Sequence, residues 1–195
     1  YTIRDLTLTA GDDVSNLLVS GIDPSMTVVT IEDAAVVLET RFQDLYVVGV
    51  LDGDSSIDQC AVGNINYFSG SISNSAMHGE ITLNGNQARL HGCSMADYGV
   101  IPTINMNNLH QHVIVSEYTG DLTFTNSTDA SNNIGIGILA GTIIIDASCT
   151  EGTFVVSGSG EVVNNGGPNV VVDTSGLNNP ANIAKAVFDH VVTIP

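Results

Sequence analysis

Apolar and polar residues alternate along this chain in short bursts that Gly, Asn and Asp cut off before most of them reach helix length. The phrase Ile3-Arg4-Asp5-Leu6-Thr7-Leu8-Thr9 puts apolar side chains on one face with period two, and Gly11-Asp12-Asp13 ends it. Ser20-Gly21-Ile22-Asp23-Pro24 is turn chemistry, and Thr27-Val28-Val29-Thr30-Ile31 reads as a second strand. From Ala35 the bursts become monotonous: residues 45–51, 56–62, 70–73, 79–83 and 88–93 follow one another at roughly ten-residue intervals, each bounded by a turn former. A stretch after Met95 that holds Pro102 and Asn107-Asn108 reads as a loop, and the pattern resumes at His112 and runs to Asp173.

Each burst is too short to bury its apolar face alone, so the bursts must stack on one another. The pattern predicts an all-β fold of the parallel β-helix or β-solenoid type, with a β-sandwich as the alternative that the same short strands allow. Residues 1–34 form a cap or small β module in this reading, residues 35–177 the solenoid, and residues 178–195 a short C-terminal helix and tail. Asn179 before Pro180 is a helix start, and Ile183, Val187 and Val191 recur at four-residue intervals, which predicts a helix over about 180–190. The run Ile134-Gly135-Ile136-Gly137-Ile138 places isoleucines on one face and leaves the other free for close backbone approach, a candidate subunit contact.

Composition narrows the function classes. With 43% hydrophobic residues in 195, the chain can build one continuous core. Four Lys and Arg against 21 Asp and Glu give a formal charge of −17, which repels a nucleic-acid backbone or an anionic membrane, so neither is an expected partner. Cys60, Cys93 and Cys149 are widely spaced and odd in number, and are expected to be buried free thiols. The chain opens at Tyr1, without Met, as a fragment of a longer polypeptide would.

Several ordered phrases carry a resemblance. Residues 48–55 (Val-Gly-Val-Leu-Asp-Gly-Asp-Ser), 79–85 (Gly-Glu-Ile-Thr-Leu-Asn-Gly), 120–126 (Gly-Asp-Leu-Thr-Phe-Thr-Asn) and 141–153, with 158–165 and the ending 183–189, are similar to a family of tailed-bacteriophage virion proteins, in which Trp often stands where this chain has Phe188. The similarity spans roughly residues 28–190. It implies a structural component of the phage particle, associated with the tail fibre or the tail tip that carries host adsorption, and it carries over no active-site residue. A capsid or neck decoration protein is the alternative within the virion. The expected partners are other virion proteins, further copies of the chain in a homotrimer and a host surface glycan; the expected location is the virion, assembled in the host cytoplasm.

Catalytic and metal-binding constellations are sparse. A β-helical glycan-active enzyme, or depolymerase, needs paired carboxylates, and for an acidic sugar also basic groups. Asp52 and Asp54 are the best acidic pair, with Arg41 and Arg89 the basic candidates, but Asp-Gly-Asp is first of all a turn. No catalytic residue and no cofactor is therefore expected. His110-Gln111-His112 sets two imidazoles on one face of a strand, and three such pairs around a threefold axis offer six nitrogens to a metal ion; exposed loop histidines are the plainer account. Asp12-Asp13, Asp52-Gly53-Asp54 and residues 129–133 have oxygen ligands for Ca²⁺ but match no calcium loop. Ser94, His91 and Asp97 hold the atoms of a triad without the strand-turn-helix frame of a nucleophilic serine, and are set aside.

Overall fold

A computed structural model describes residues 4–33, 35–96 and 99–178. Among them the chain is all β, and every strand pairing is parallel, which excludes the sandwich and its antiparallel hairpins. The outward column Leu18, Arg41, Ser56, Ser71, Arg89, Ile114, Gly135, Val155, Asp173 visits nine successive coils, each hydrogen-bonded to the next. The coils are uneven. They take 15 residues from Arg41 to Ser56 and again to Ser71, 25 from Arg89 to Ile114, and 20 from Gly135 to Val155.

Why the turns fall where they do is local. A parallel strand alternates inward and outward residues, and a corner needs a residue that breaks the alternation. Asp44 (φ 56°), Gln59 (55°), Asn74 (49°), Gly92 (62°) and Glu117 (56°) stack in that role, all left-handed. The backbone N–H of Gln59 donates to the Ser73 carbonyl at 3.1 Å and that of Asn74 to His91 at 2.9 Å, so each strained corner is tied to the coil above. The residue after each corner then turns inward: Leu45, Cys60, Ser75, Cys93 and Tyr118 are all buried. Other corners use an Asp-x-Ser turn. The Ser15, Ser25, Ser131, Ser148 and Ser175 amides donate to Asp13, Asp23, Asp129, Asp146 and Asp173 at 2.7–2.9 Å. The serine hydrogen bonds hold the carboxyls of Asp13, Asp23, Asp146 and Asp173 below their ordinary 3.8.

The core is a set of apolar stacks running along the solenoid. One is Phe42, Ile57, Ile72, Leu90, Val115, Ile136, Val156; another is Ile65, Ile81, Ile104, Phe124, Ile145; all are buried. Ile134, Ile136 and Ile138 belong to this interior. Gly135 and Gly137 face out, and the expectation that they admit a neighbouring backbone is not met within the chain: a Cβ at Gly135 would touch nothing within 4 Å, and one at Gly137 would stand 3.7 Å from its nearest neighbour, an ordinary contact. They leave the wall flat instead. The ladder passes from Asp5–Leu8 to Val28–Ile31 to Tyr46–Asp58. The stretch after Met95, expected as loop, contributes the short strand Thr103–Asn105 between Glu80–His91 and Leu122–Thr125. The helix expected at 180–190 lies outside the described residues.

The three thiols are free and buried, as the spacing suggested. Cys60 donates to the Asp58 carbonyl at 3.2 Å, Cys93 to Ile72 at 3.4 Å and Cys149 to Phe124 at 3.3 Å. Burial pushes all three above the ordinary thiol range, Cys60 to about 11. Thiolate is the reactive species, so the native chain is expected to resist a thiol-specific disulfide reagent at pH 8 and to consume three equivalents once unfolded in guanidinium. Fast labelling of the native protein would show that these corners open.

Candidate functional site

Grooves run along the walls of the described residues, and two of the residues singled out in the sequence, Asp54 and Arg89, line the first of them. It has a volume of about 690 Å³. Ser56 and Ser71 are ladder partners on its floor, with Gly70 beside them, and these small side chains sit between the larger Arg41 and Arg89 one coil to either side. Glu39 and Asp54 line one side and Gln87 with Arg89 another. Asp54 accepts a 2.7 Å hydrogen bond from the Ser69 hydroxyl, and Arg89 donates to Gln87 at 3.2 Å. Arg41 turns away toward Asp58, 3.7 Å from its carboxylate, whose other oxygen accepts from Ser73 at 2.7 Å and Asn74 at 3.1 Å. Those hydrogen bonds, Ser73 first, and the Arg41 charge hold Asp58 below 3.8.

The structure therefore brings Asp54 and Arg89 to one groove and takes Arg41 out of it. Asp52 lies in the same strand, Tyr46–Asp58. Glu39, which sequence reasoning passed over, joins Asp54 because its left-handed backbone (φ 55°) places its N–H on the Asp54 carbonyl, 2.6 Å away. Both carboxylates are exposed. The arrangement offers hydrogen-bond acceptors and donors in an open trough.

The second groove, about 670 Å³, lies on a different wall. Its floor is a ladder column of small side chains, Ala61, Ala76 and Ser94, continuing from Tyr46. Tyr46 and His78 meet edge to face, ring centroids 5.9 Å apart at 85°. Burial lowers the His78 imidazole below its ordinary 6.5, so it is neutral at pH 7. The turn at Asp23 closes one end and Met95 the other. No sequence signal marked this groove, because its residues lie 15 to 18 positions apart and meet only through the register.

His110 and His112 are both exposed, with Gln111 fully buried between them, but the strand His112–Thr119 begins only at the second histidine, so the pair does not sit within one strand. His110 Nδ1 stands 4.0 Å from Asp129. Among the described residues no three His, Cys, Asp or Glu side chains gather for a metal. Gln111 donates to the Met106 carbonyl at 3.2 Å, and its backbone N–H to Asn132 at 2.7 Å. Asp12 accepts the Thr9 amide at 2.7 Å and Asp13 the Ser15 amide at 2.9 Å, so these acidic turns spend oxygen lone pairs on their own backbone. His91 pairs with Ser116 at 3.0 Å and lies 3.8 Å from Glu117, whereas the Ser94 strand pairs with Ala76–Met77; Asp97 lies outside the described residues. Comparison with protein-family models gave no match, and neither did comparison with the curated proteins or with the solved structures.

Proposed function

We propose that this chain is a structural component of a bacteriophage particle, a rod-like segment of the tail fibre or tail-tip apparatus that works in host adsorption without catalysis. The observation that carries the reading is the continuous nine-coil ladder. Each coil is bonded to its neighbours by backbone, which gives a stiff body whose walls are free to present side chains. The resemblance of the ordered phrases to tailed-phage virion proteins points the same way, and the charge of −17 suits a component that keeps off nucleic acid. In this reading the chain assembles as a homotrimer with other virion proteins, in the host cytoplasm; a place in the neck or capsid decoration is the alternative position.

A β-helical glycan-active enzyme is a second reading, favoured by one observation: Glu39, Asp54 and Arg89 line a single groove. Two experiments separate the readings. Antibodies to the recombinant chain, applied to purified particles and followed by cryo-EM, are expected to decorate the tail; a chain found only in the soluble fraction of an infected lysate would remove the virion reading. Incubation with host surface polysaccharide is expected to release no reducing ends. Release that disappears in Asp54→Ala would establish the enzyme.

A further inference from the structure

We propose that the groove between Tyr46 and His78 binds a neutral glycan, with the Tyr46 ring as its platform. The ring's position is built into the wall. Gly63 is the residue that makes room: a Cβ there would collide with both Tyr46 Oη and a Val48 methyl. With that space empty the phenol lies along the wall over Gly63, which it buries, and its edge contact with the His78 ring one coil further on fixes its tilt. The floor is methyl groups, from Ala61 and Ala76. The ends are polar: the Ser94 hydroxyl closes the floor column and the Asp23 carboxylate, whose Oδ1 accepts from Ser25, stands at the other end.

An aromatic face over a methyl floor, with hydroxyl and carboxylate groups at the edges, complements a pyranose, whose axial C–H groups form an apolar face and whose hydroxyls point outward round the ring. Ladder positions recur at about 4.8 Å, so the floor offers equivalent steps to successive sugars of a chain. Charge selects among sugars. Among the described residues lining the groove Asp23 is the charged one, His78 is neutral, and the molecule carries −17, so a uronate or sialylated chain is repelled where a neutral one is not.

The glycan's source as a host surface rests on the adsorption role proposed above; the groove itself does not, and particle localisation and glycan binding fail independently. The test uses the full chain and calorimetric titration with maltohexaose, mannohexaose, cellohexaose and chitohexaose, against hexagalacturonate. At least one neutral hexasaccharide is expected to bind and the acidic one not. Tyr46→Ala removes the platform and Gly63→Ala displaces it without touching the floor; each is expected to weaken binding by about tenfold or more, and Tyr46→Phe by less than about threefold. Ser71→Leu, in the other groove, leaves binding unchanged. A thermal melt confirms that each variant is folded, and Gly63→Ala has an ordinary backbone φ, so it keeps the test alive if Tyr46→Ala misfolds. No binding by any of the four neutral sugars, preference for the uronate, or binding indifferent to both Gly63→Ala and Tyr46→Ala would overturn the proposal.

Discussion

Gly49→Ala is expected to destabilise the chain by about 4 kcal/mol or more, read as a shift of the urea midpoint at constant slope. Gly49 has φ +119°, a conformation that an L side chain rarely adopts, and a Cβ there would enter the Ile31 carbonyl oxygen and stand 2.7–2.8 Å from the carbonyl carbon and nitrogen of the same residue. The neighbour is backbone in a paired strand, Ile31 opposite Gly49, and cannot step aside without breaking the ladder between the two coils. Strain alone accounts for about 1–3 kcal/mol, and the collision adds to it. Gly135→Ala is the control. Its surroundings are open and its φ is not left-handed, so the methyl should change stability by less than about 1 kcal/mol, and in the stabilising direction if the unfolded chain loses entropy. Equal effects at the two sites would mean that glycine in this sequence marks strand weakness in general and that the coils do not approach as closely as described.

How much of this was legible in the sequence depends on whether the physics was local. The inward stacks were, because Ile57, Ile72 and Leu90 sit in bursts with period two, and burial follows from alternation alone. The parallel sense was legible only from the monotony of the bursts. The corners were half legible. Asp-x-Ser announces its own turn through the carboxylate, and its recurrence at five corners is a signal that a reading for strands passes over. Gln59, Tyr67 and Glu117 announce nothing: they adopt φ 55–59° against their own preference because the coils above and below fix the backbone there. Without those corners, coil length cannot be read, and coils of 15 and 25 residues look alike as strings of short strands. The grooves were illegible for that reason. Asp54 and Arg89 were named for their chemistry, but Glu39 reaches them, and Tyr46 reaches His78, only through a register that depends on every corner between.

Phe124→Ala is expected to cost about 3–5 kcal/mol, and to do so unevenly along the molecule. Phe124 and Phe154 are both fully buried, edge to face with centroids 5.5 Å apart at 77°, and they come from consecutive coils on different stacks, Phe124 between Ile104 and Ile145, Phe154 between Ile134 and Val172. Removing one ring leaves a cavity that the flanking isoleucines cannot fill, since their backbones are held by the ladder. The pair is coupled, so Phe124→Ala with Phe154→Ala should fall short of the sum of the single effects by about 0.5–1.5 kcal/mol. A solenoid holds together through nearest neighbours, and a defect at one interface lowers the cost of opening the coils beyond it. In the Phe124→Ala chain, amide exchange should therefore quicken most in Asn133–Ala140, Glu151–Gly158 and Asn169–Leu177, while Tyr46–Asp58 and Ala61–Ser73 keep the protection they have in the parent protein. Uniform loss of protection across all these strands would show that the coils unfold as one unit, and that the two aromatic rings support the whole rod and not the half in which they lie.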